Sequence, residues 1–398
     1  MSVYFIYLSI LSLIGFLDFK YSFLKKNQYS SFFFILVFAF LLIILIGFRH
    51  EVGGDWGNYI NNYLLLVSEI NVFNPTYEQM FKYYDIYLDN SFWEDMPRNI
   101  NDLFKKEYIY WILNYIGVNG FGHIYFVNTI CAIIYTSSLI ILCRSMPYTW
   151  IAFMIAFPYL TLVVSQGYVR QSVSLSFFMI SLVALNKNKE LKFILWNILG
   201  FTFHFSNLFI APLLLIRKSK FLLFILTIIF FLILIGTSLS GVFFTLLNNY
   251  ILISYNSSGA FIRLLMNLIP GLILLLYHRK IFKDKPVPRH WIILALISII
   301  FFVAYFISPS TAIIDRFGLY LIPLQIYVWT NLINSLNSKN GSDTFFVILL
   351  ILYNFSIMYV WLFFSENSFA WVPYKNILFE IFFNNIDYVI FIKKMNFM

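Results

Sequence analysis

Charged residues are scarce in this sequence. Only 11% of the 398 residues are Asp, Glu, Lys or Arg, whereas soluble domains carry about 25%. Hydrophobic residue types make up 61%, and the mean hydropathy is +0.81. A chain with so few charges cannot form a water-soluble globule. Its repeated apolar runs, each able to cross about 30 Å of hydrocarbon, predict an all-α polytopic membrane protein.

Cysteine is nearly absent as well. Cys131 and Cys143 fall within one predicted span or at its end, which excludes a disulfide framework, a thiolate–metal cluster or a redox pair. No HExxH, DxD, Walker A or GxSxG motif occurs in a supporting context. The net charge of +9 is not gathered on a solvated basic face, as nucleic-acid binding would need. We therefore expect no metal, no cofactor and no nucleic-acid partner.

The apolar runs predict a single integral membrane domain over residues 1–398, with about 10–12 transmembrane helices. The first run, Val3 to Leu17, lacks preceding basic residues and a small-residue cleavage site, so it is expected to be an uncleaved span. Spans are predicted near 2–17, 31–48, 121–143, 148–164, 172–185, 221–236, 264–278, 291–308, 317–333 and 344–364.

The distribution of basic residues predicts the orientation. One set of short connections holds 16 Lys and Arg against four acids, and such connections mark the cytoplasmic side. The basic residues of this set are Lys20, Lys25, Lys26, Arg144, Lys187, Lys189, Lys192, Arg217, Lys218, Lys220, Arg279, Lys280, Lys283, Lys285, Arg289 and Lys339.

Residues 193–216 have basic clusters on both sides, which conflicts with a single crossing. A broken or re-entrant pair of short helices, turning at Phe203–Asn207, keeps both clusters inside and is the preferred interpretation. Broken helices are tolerated at membrane depth where they line a protein cavity.

The segment 49–120 is predicted to be one large extracytoplasmic loop. Its first part, 49–107, has ten acids and five basic residues, which suits an outward-facing position. At its start, an arginine, three glycines and Asp55 follow a long apolar run. Apolar residues at helical spacing from Trp56 then predict an amphipathic helix on the bilayer surface, with Asp55 as its cap. The alternative is an ordinary polar loop. Residues 108–119 predict a second short interfacial helix.

With this orientation, several arginines collect at the outer ends of spans, where they are usually depleted. A shared explanation is an anionic substrate, because guanidinium groups bind phosphate oxygens in a bidentate geometry. For any single arginine the alternative is snorkelling or a local ion pair, as for Arg316 beside Asp315. The outer basic residues are Arg49, Arg170, Arg263, Arg316 and Lys375.

His204 lies in an apolar run, at the apex of the predicted broken helix. It is either a helix–helix hydrogen-bonding residue or a candidate general base. Asp55 and Glu107 are rival acid–base candidates, for which a helix cap and a solvated loop charge are the alternatives.

A set of short motifs in order along the chain resembles the EpsG/Wzy-type family of exopolysaccharide and O-antigen repeat-unit polymerases. Two features depart from the usual pattern: Gly54 stands where threonine or serine is common, and 69–106 is longer than typical. The matching residues are Arg49, Val52-Gly53-Gly54-Asp55-Trp56, Tyr59, Glu107-Tyr108, Tyr168-Val169-Arg170-Gln171, Phe203-His204-Phe205-Ser206, Asp315-Arg316 and Trp371-Val372-Pro373-Tyr374-Lys375-Asn376.

The resemblance implies a glycosyltransferase of the bacterial cytoplasmic membrane with an extracytoplasmic active site. It would join oligosaccharide repeat units carried on polyprenyl diphosphate, beside a chain-length regulator and a flippase of the same pathway. The expected catalytic residues are His204, Asp55 and Glu107. His204 is the preferred base for the acceptor hydroxyl, for which Asp55 or Glu107 could also serve, and these two acids are expected to shape the acceptor side. The expected diphosphate ligands are Arg170, Arg316, Arg263 and Arg49, of which Arg49 also shapes the acceptor side. The expected glycan contacts are Trp56, Tyr59, Tyr168, Gln171, Tyr374 and Lys375.

Rival functions stay open at this point. A glycolipid flippase would also need arginines and many spans, but it predicts a cationic cavity that reaches both faces. An O-antigen ligase differs only in its acceptor. A membrane acyltransferase would place its histidine near a cytoplasmic thioester, and a purely structural role leaves the buried polar residues unexplained.

Overall fold

The computed structural model describes residues 1–21, 28–70, 108–121, 123–204, 206–207, 256–282, 286–336 and 342–383. Within these ranges every regular element is helical, and the one β-type contact is an isolated bridge between Arg49 and Asn376. The α-helices are α1 Ser2–Tyr21, α2 Gln28–Gly47, α3 Trp56–Ile70, α4 Tyr108–Ile116, α5 Ile124–Arg144, α6 Thr149–Ala156, α7 Val169–Asn186, α8 Glu190–Phe203, α9 Ala260–Phe282, α10 Arg289–Tyr305, α11 Thr311–Gly318, α12 Ile322–Leu336, α13 Ser342–Phe364 and α14 Ile377–Phe383.

Many of these helices are long and apolar enough to cross a bilayer. Five qualify by length and composition, namely α1, α5, α7, α9 and most of α13, and three shorter apolar stretches lie in α2, α6 with its extension, and α10. Large side chains such as Phe33, Leu276 and Phe345 are exposed on the outside of the bundle, as lipid solvation allows. The chain is therefore an all-α polytopic membrane protein, as predicted. The predicted span 221–236 lies outside the described residues, so the count of 10–12 crossings stays a prediction.

The bundle has two chemically different ends. Helix α7 has Arg170 in its first turn and ends before Lys187, and α9 likewise has Arg263 in its first turn and Lys280 near its end. We call these the arginine end and the lysine end. At the lysine end, the Asn186 side-chain oxygen accepts hydrogen bonds from the His290 and Trp291 rings.

Two predicted spans are interrupted in the structure. The span 148–164 is helix α6 followed by a π-helix, Phe157–Ser165, with Pro158 in its first turn. The span 317–333 consists of the end of α11, a 3₁₀ turn Leu319–Leu321 and α12. Pro323 has no N–H for the Leu319 carbonyl, four residues earlier, which explains the second interruption.

Both segments that the sequence predicts as interfacial helices are helical, and α3 packs on protein. Helix α3 starts directly after Asp55, and α4 covers Tyr108–Ile116. The apolar face of α3 is buried in a cluster with α4, α5 and the start of α7. Helix α8 ends at Phe203, where the break was predicted. The returning half of that pair lies outside the described residues.

Candidate functional site

The start of α7, residues 166–174, is the centre of the arginine end. The π-helix ends at Ser165, and the chain turns through Gln166 and Gly167 before α7 begins. Tyr168 has a non-helical backbone there. Successive side chains of this stretch then contact different segments of the protein: Tyr168 contacts Trp371, Gln171 contacts Arg316 and Ser174 contacts Tyr320. It is therefore the element that positions the other candidate residues.

The glycine-rich turn, residues 49–55, packs directly against this stretch. The Gly53 amide donates to the Ala370 carbonyl at 2.7 Å, and the Asp55 amide donates to the Gly167 carbonyl at 3.2 Å. Gly53 has φ +112°, and a Cβ added there would lie 2.2 Å from the Gln166 carbonyl oxygen. Only glycine fits this combination of backbone angle and close approach.

Trp371 locks the third segment, residues 370–377, onto the other two. Its ring is fully buried, and Nε1 donates to the Leu162 carbonyl at 3.0 Å. A Cβ on Gly167 would lie 2.3 Å from this ring, and one on Gly54 would lie 3.3 Å from it. The Tyr4 hydroxyl contacts both Gln166 and the Trp371 carbonyl. Helix α1 thereby joins the same junction.

Arg49 is a buried residue of this junction, only 1% exposed. Its Nη1 donates to the Ile46 carbonyl at 2.6 Å, and its Nε donates to the Val52 carbonyl at 3.1 Å. Its guanidinium carbon lies 5.6 Å from the Trp56 ring centroid. Of the three nitrogens of this side chain, Nη2 has no hydrogen-bond partner among the described residues. These contacts tie the end of α2 to the glycine-rich turn.

Arg170 lies against the rings of two tyrosines, one of which also contacts Asp55. Its guanidinium carbon is 5.4 Å from the Tyr59 ring centroid and 5.9 Å from that of Tyr110. The Tyr59 hydroxyl donates to Asp55 Oδ2 at 3.4 Å. Burial raises the pKa of Tyr59, and the nearby Asp55 carboxylate adds to this, so the hydroxyl stays a donor. Arginine, carboxylate and two phenols thus form one cluster.

Arg263 and Asp315 form a bidentate ion pair across α9 and α11. Nε and Nη2 of the arginine each lie 2.7 Å from one carboxylate oxygen. Ser257 supports both partners, donating to Asp315 at 2.8 Å and accepting from Arg263. The sequence offered Arg316 as the neighbour of Asp315, whereas the structure pairs this carboxylate with Arg263. Arg316 is held through its carbonyl, which accepts from Gln171 Nε2 at 2.7 Å.

His204 lies at the end of α8 and is connected to α7 by a row of hydroxyl groups. Its Nδ1 is 2.6 Å from Ser206 Oγ. That oxygen is 2.8 Å from the Tyr320 hydroxyl, which is 2.8 Å from Ser174 Oγ. Ser174 lies one helical turn after Gln171, so the histidine and Arg316 are both attached to the first turns of α7.

The remaining predicted residues are distributed around this centre. Tyr168 contacts the Trp371 ring, with centroids 6.3 Å apart. The Tyr374 hydroxyl donates to the Leu45 carbonyl at 2.9 Å. Lys375 forms an exposed ion pair with Glu51. Glu107 lies outside the described residues.

Sequence reasoning missed three residues of the site: Tyr110, Ser174 and Tyr320. Each lies inside an apolar run and belongs to no motif, so only the fold shows their role. Within the described part of the chain, no group of three or more His, Cys, Asp or Glu side chains is placed to hold a metal ion.

The fold and site define a polytopic membrane protein with an arginine-rich polar junction at one end of its helix bundle. The chain belongs to the EpsG family, whose profile matches residues 31–376. This membership supports, in general terms, a polysaccharide polymerase-type function in polysaccharide biosynthesis. No curated protein and no solved structure matches the chain significantly.

Proposed function

We propose that this protein joins oligosaccharide repeat units carried on polyprenyl diphosphate into a surface polysaccharide. The site faces the extracytoplasmic side of a bacterial cytoplasmic membrane. Family membership supports the polymerase class. The observation that carries the finer proposal is the convergence of Arg170, Arg316 and His204 on the first turns of α7. From this position at one end of the bundle, the three residues can bind a substrate that consists of a membrane-embedded lipid and a sugar.

Arg170 and Arg316 are assigned to the diphosphate. When the bond between the anomeric carbon and the diphosphate breaks, negative charge develops on the leaving group, and preorganised guanidinium groups stabilise it. Arg263 donates to both carboxylate oxygens of Asp315 through Nε and Nη2. We assign that pair to positioning Arg316, the next residue in the chain. The contacts of Arg49 favour holding the glycine-rich turn in place.

The acceptor side is assigned to Asp55 and its aromatic neighbours. The acceptor hydroxyl must lose a proton as the new glycosidic bond forms, and a positioned carboxylate can take it. Trp56 and Tyr59 lie beside Asp55 and present aromatic rings, while Tyr168, Gln171, Tyr374 and Lys375 extend the junction around it. We propose that this group binds the sugar rings of the acceptor, with Glu107 as a further candidate from the same outer segment.

Two other functions use the same chemistry. A flippase for the same glycolipid needs diphosphate-binding arginines, and a ligase differs only in the acceptor. The candidate arginines cluster at one end of the bundle, which favours a glycosyl transfer enzyme over a flippase. The products that accumulate in a knockout separate all three: single repeat units for a polymerase, donors trapped inside for a flippase, and long unattached polymer for a ligase.

The direct test replaces Arg170 or Arg316 by alanine in the knockout host and measures polymer length and amount on gels. We expect about a hundredfold less polymer, the usual cost of losing one charge-stabilising donor. Single repeat units should accumulate. Lys187→Ala, a cation at the lysine end of the same helix, is the matched control and should leave the polymer unchanged. Normal polymer from well-inserted Arg170→Ala and Arg316→Ala proteins would exclude the proposed site.

A further inference from the structure

His204 has an unusual arrangement of hydrogen bonds at one ring nitrogen. Nδ1 accepts the backbone N–H of Ser206 at 3.2 Å, and the Ser206 hydroxyl oxygen lies 2.6 Å from the same atom. The ring is part-buried at the point where α8 ends. Both partners come from one residue, so the backbone and side chain of Ser206 set the environment of Nδ1.

The backbone bond decides where the ring proton is. An amide N–H can only donate, so the nitrogen it points at must be an acceptor. A proton on Nδ1, in the other neutral tautomer or in the imidazolium, would face the Ser206 N–H directly. The neutral ring carries one N–H, and the tautomer follows from the bond that the other nitrogen makes. The proton of His204 therefore lies on Nε2.

This assignment sets the direction of the row of hydroxyl groups. The Ser206 hydroxyl donates to Nδ1, so its oxygen accepts from Tyr320, whose oxygen in turn accepts from Ser174. The three residues are at most 6% exposed, so the chain is sheltered from water and keeps one direction. Ser206, Tyr320 and Ser174 are positioning residues that fix the ring and its tautomer.

We infer that His204 acts as a hydrogen-bond donor through Nε2–H and not as the general base. This inference rests on the proposed function. It assigns to the Nε2–H group of His204 a substrate partner, an anionic oxygen of the departing lipid diphosphate. In that step the acceptor oxygen bonds to the anomeric carbon and its proton passes to the Asp55 carboxylate. The bond from the anomeric carbon to the diphosphate oxygen breaks, and the diphosphate leaves with the electron pair. His204 stabilises that oxygen without giving up its proton.

The tautomer is tested without any substrate. The full chain is labelled with ¹⁵N-histidine, placed in lipid vesicles at neutral pH and examined by solid-state NMR. There are five histidines, and the His204→Gln variant identifies the signal of His204 by its loss. We expect a proton-free, pyridine-type Nδ1 and a proton-bearing Nε2. A proton on Nδ1, or an imidazolium, would overturn the inference whatever the enzyme's activity.

The donor role is tested in the knockout host. A glutamine amide places an N–H near the position of Nε2–H but cannot act as a base. His204→Gln should therefore keep polymer formation within about tenfold of the wild type, while His204→Ala loses about a hundredfold. Equal, large losses in both variants would overturn the donor role. Normal polymer with His204→Ala would instead count against the proposed site, and the NMR result is unaffected by that outcome.

Discussion

At the scale of the residue, the same side-chain type is used in three ways within one junction. Arg49 binds backbone carbonyls, Arg263 binds a carboxylate and Arg170 lies over two phenol rings. Desolvating a guanidinium is costly unless its N–H groups find partners. The printed contacts of Arg49 and Arg263 hold segments of the protein together, whereas Arg170 and Arg316 are the arginines that we assign to the diphosphate. This separates residues that the sequence placed in one group.

The difference between Arg49 and Lys375 can be measured as stability. Arg49→Met removes both donors to the Ile46 and Val52 carbonyls, leaving buried acceptors unpaired. We expect a loss of about 2–4 kcal/mol. Lys375→Met breaks the exposed pair with Glu51, and an exposed pair of this kind is worth about 0–1 kcal/mol. Thermal unfolding of both variants in detergent checks this, and equal effects would contradict the structural role of Arg49.

A pH dependence follows from His50. Burial lowers the pKa of His50, and Lys375 acts in the same direction, while Glu51 and Glu380 oppose the shift. The Tyr125 hydroxyl lies 2.6 Å from its Nδ1. The folded protein thus binds fewer protons here than the unfolded chain does. Its stability contribution is complete above the unfolded pKa of about 6.5 and is lost as the pH falls below it.

Melting temperatures at pH 7.5 and 5.5 test this for the wild type and for His50→Gln, which keeps a hydrogen-bonding group but does not titrate. The melting temperature should fall on acidification in both proteins, since burial also lowers the pKa of His123. The fall should be smaller in the variant. An identical fall in both proteins would show that protonation of His50 does not contribute to the loss of stability in acid.

At the scale of the element, the junction depends on how closely three backbone segments approach one another. Gly53 combines φ +112° with contact to the Gln166 carbonyl, whereas Gly57, four residues later, has open space around its missing Cβ. Gly53→Ala should cost more than about 2 kcal/mol through backbone strain and a displaced segment. Gly57→Ala should be neutral or stabilising by up to about 1 kcal/mol. Unfolding in detergent compares them, and a harmless Gly53→Ala would mean that the segments pack less tightly than described.

The sequence predicts elements better where charge or glycine marks them. It placed the end of α8 at Phe203 and the start of α3 after Asp55, because polar and turn-forming residues interrupt apolar runs there. It did not predict the π-helix after α6 or the interruption at Leu319, since hydropathy reports apolar content and not hydrogen-bond register. Tyr320 lies at that interruption. Residues of this kind become visible only when neighbouring helices supply their partners.

At the scale of the whole molecule, the ends of the described helices are sorted by the type of basic residue that they carry. At the lysine end, the ends of α7 and α9 both lie beside the start of α10. At the arginine end, the segments that carry the candidate site meet at the start of α7. That sorting is what the loop charges predicted. By the positive-inside rule, the arginine end is expected to face the extracytoplasmic side. The extracytoplasmic site is therefore a prediction of its own.

Cysteine labelling tests that prediction. Both native cysteines are buried, so they should react little with the label. Lys187→Cys lies at the lysine end and Asn367→Cys at the arginine end, and both native side chains are exposed. In intact cells a membrane-impermeant maleimide should label the cysteine at 367, while the one at 187 reacts only after lysis. Reversed labelling would keep the bundle but move the site to the cytoplasm, where a polymerase fed by a flippase has no access to its substrate. Labelling of both from outside would contradict the crossing of α7 itself.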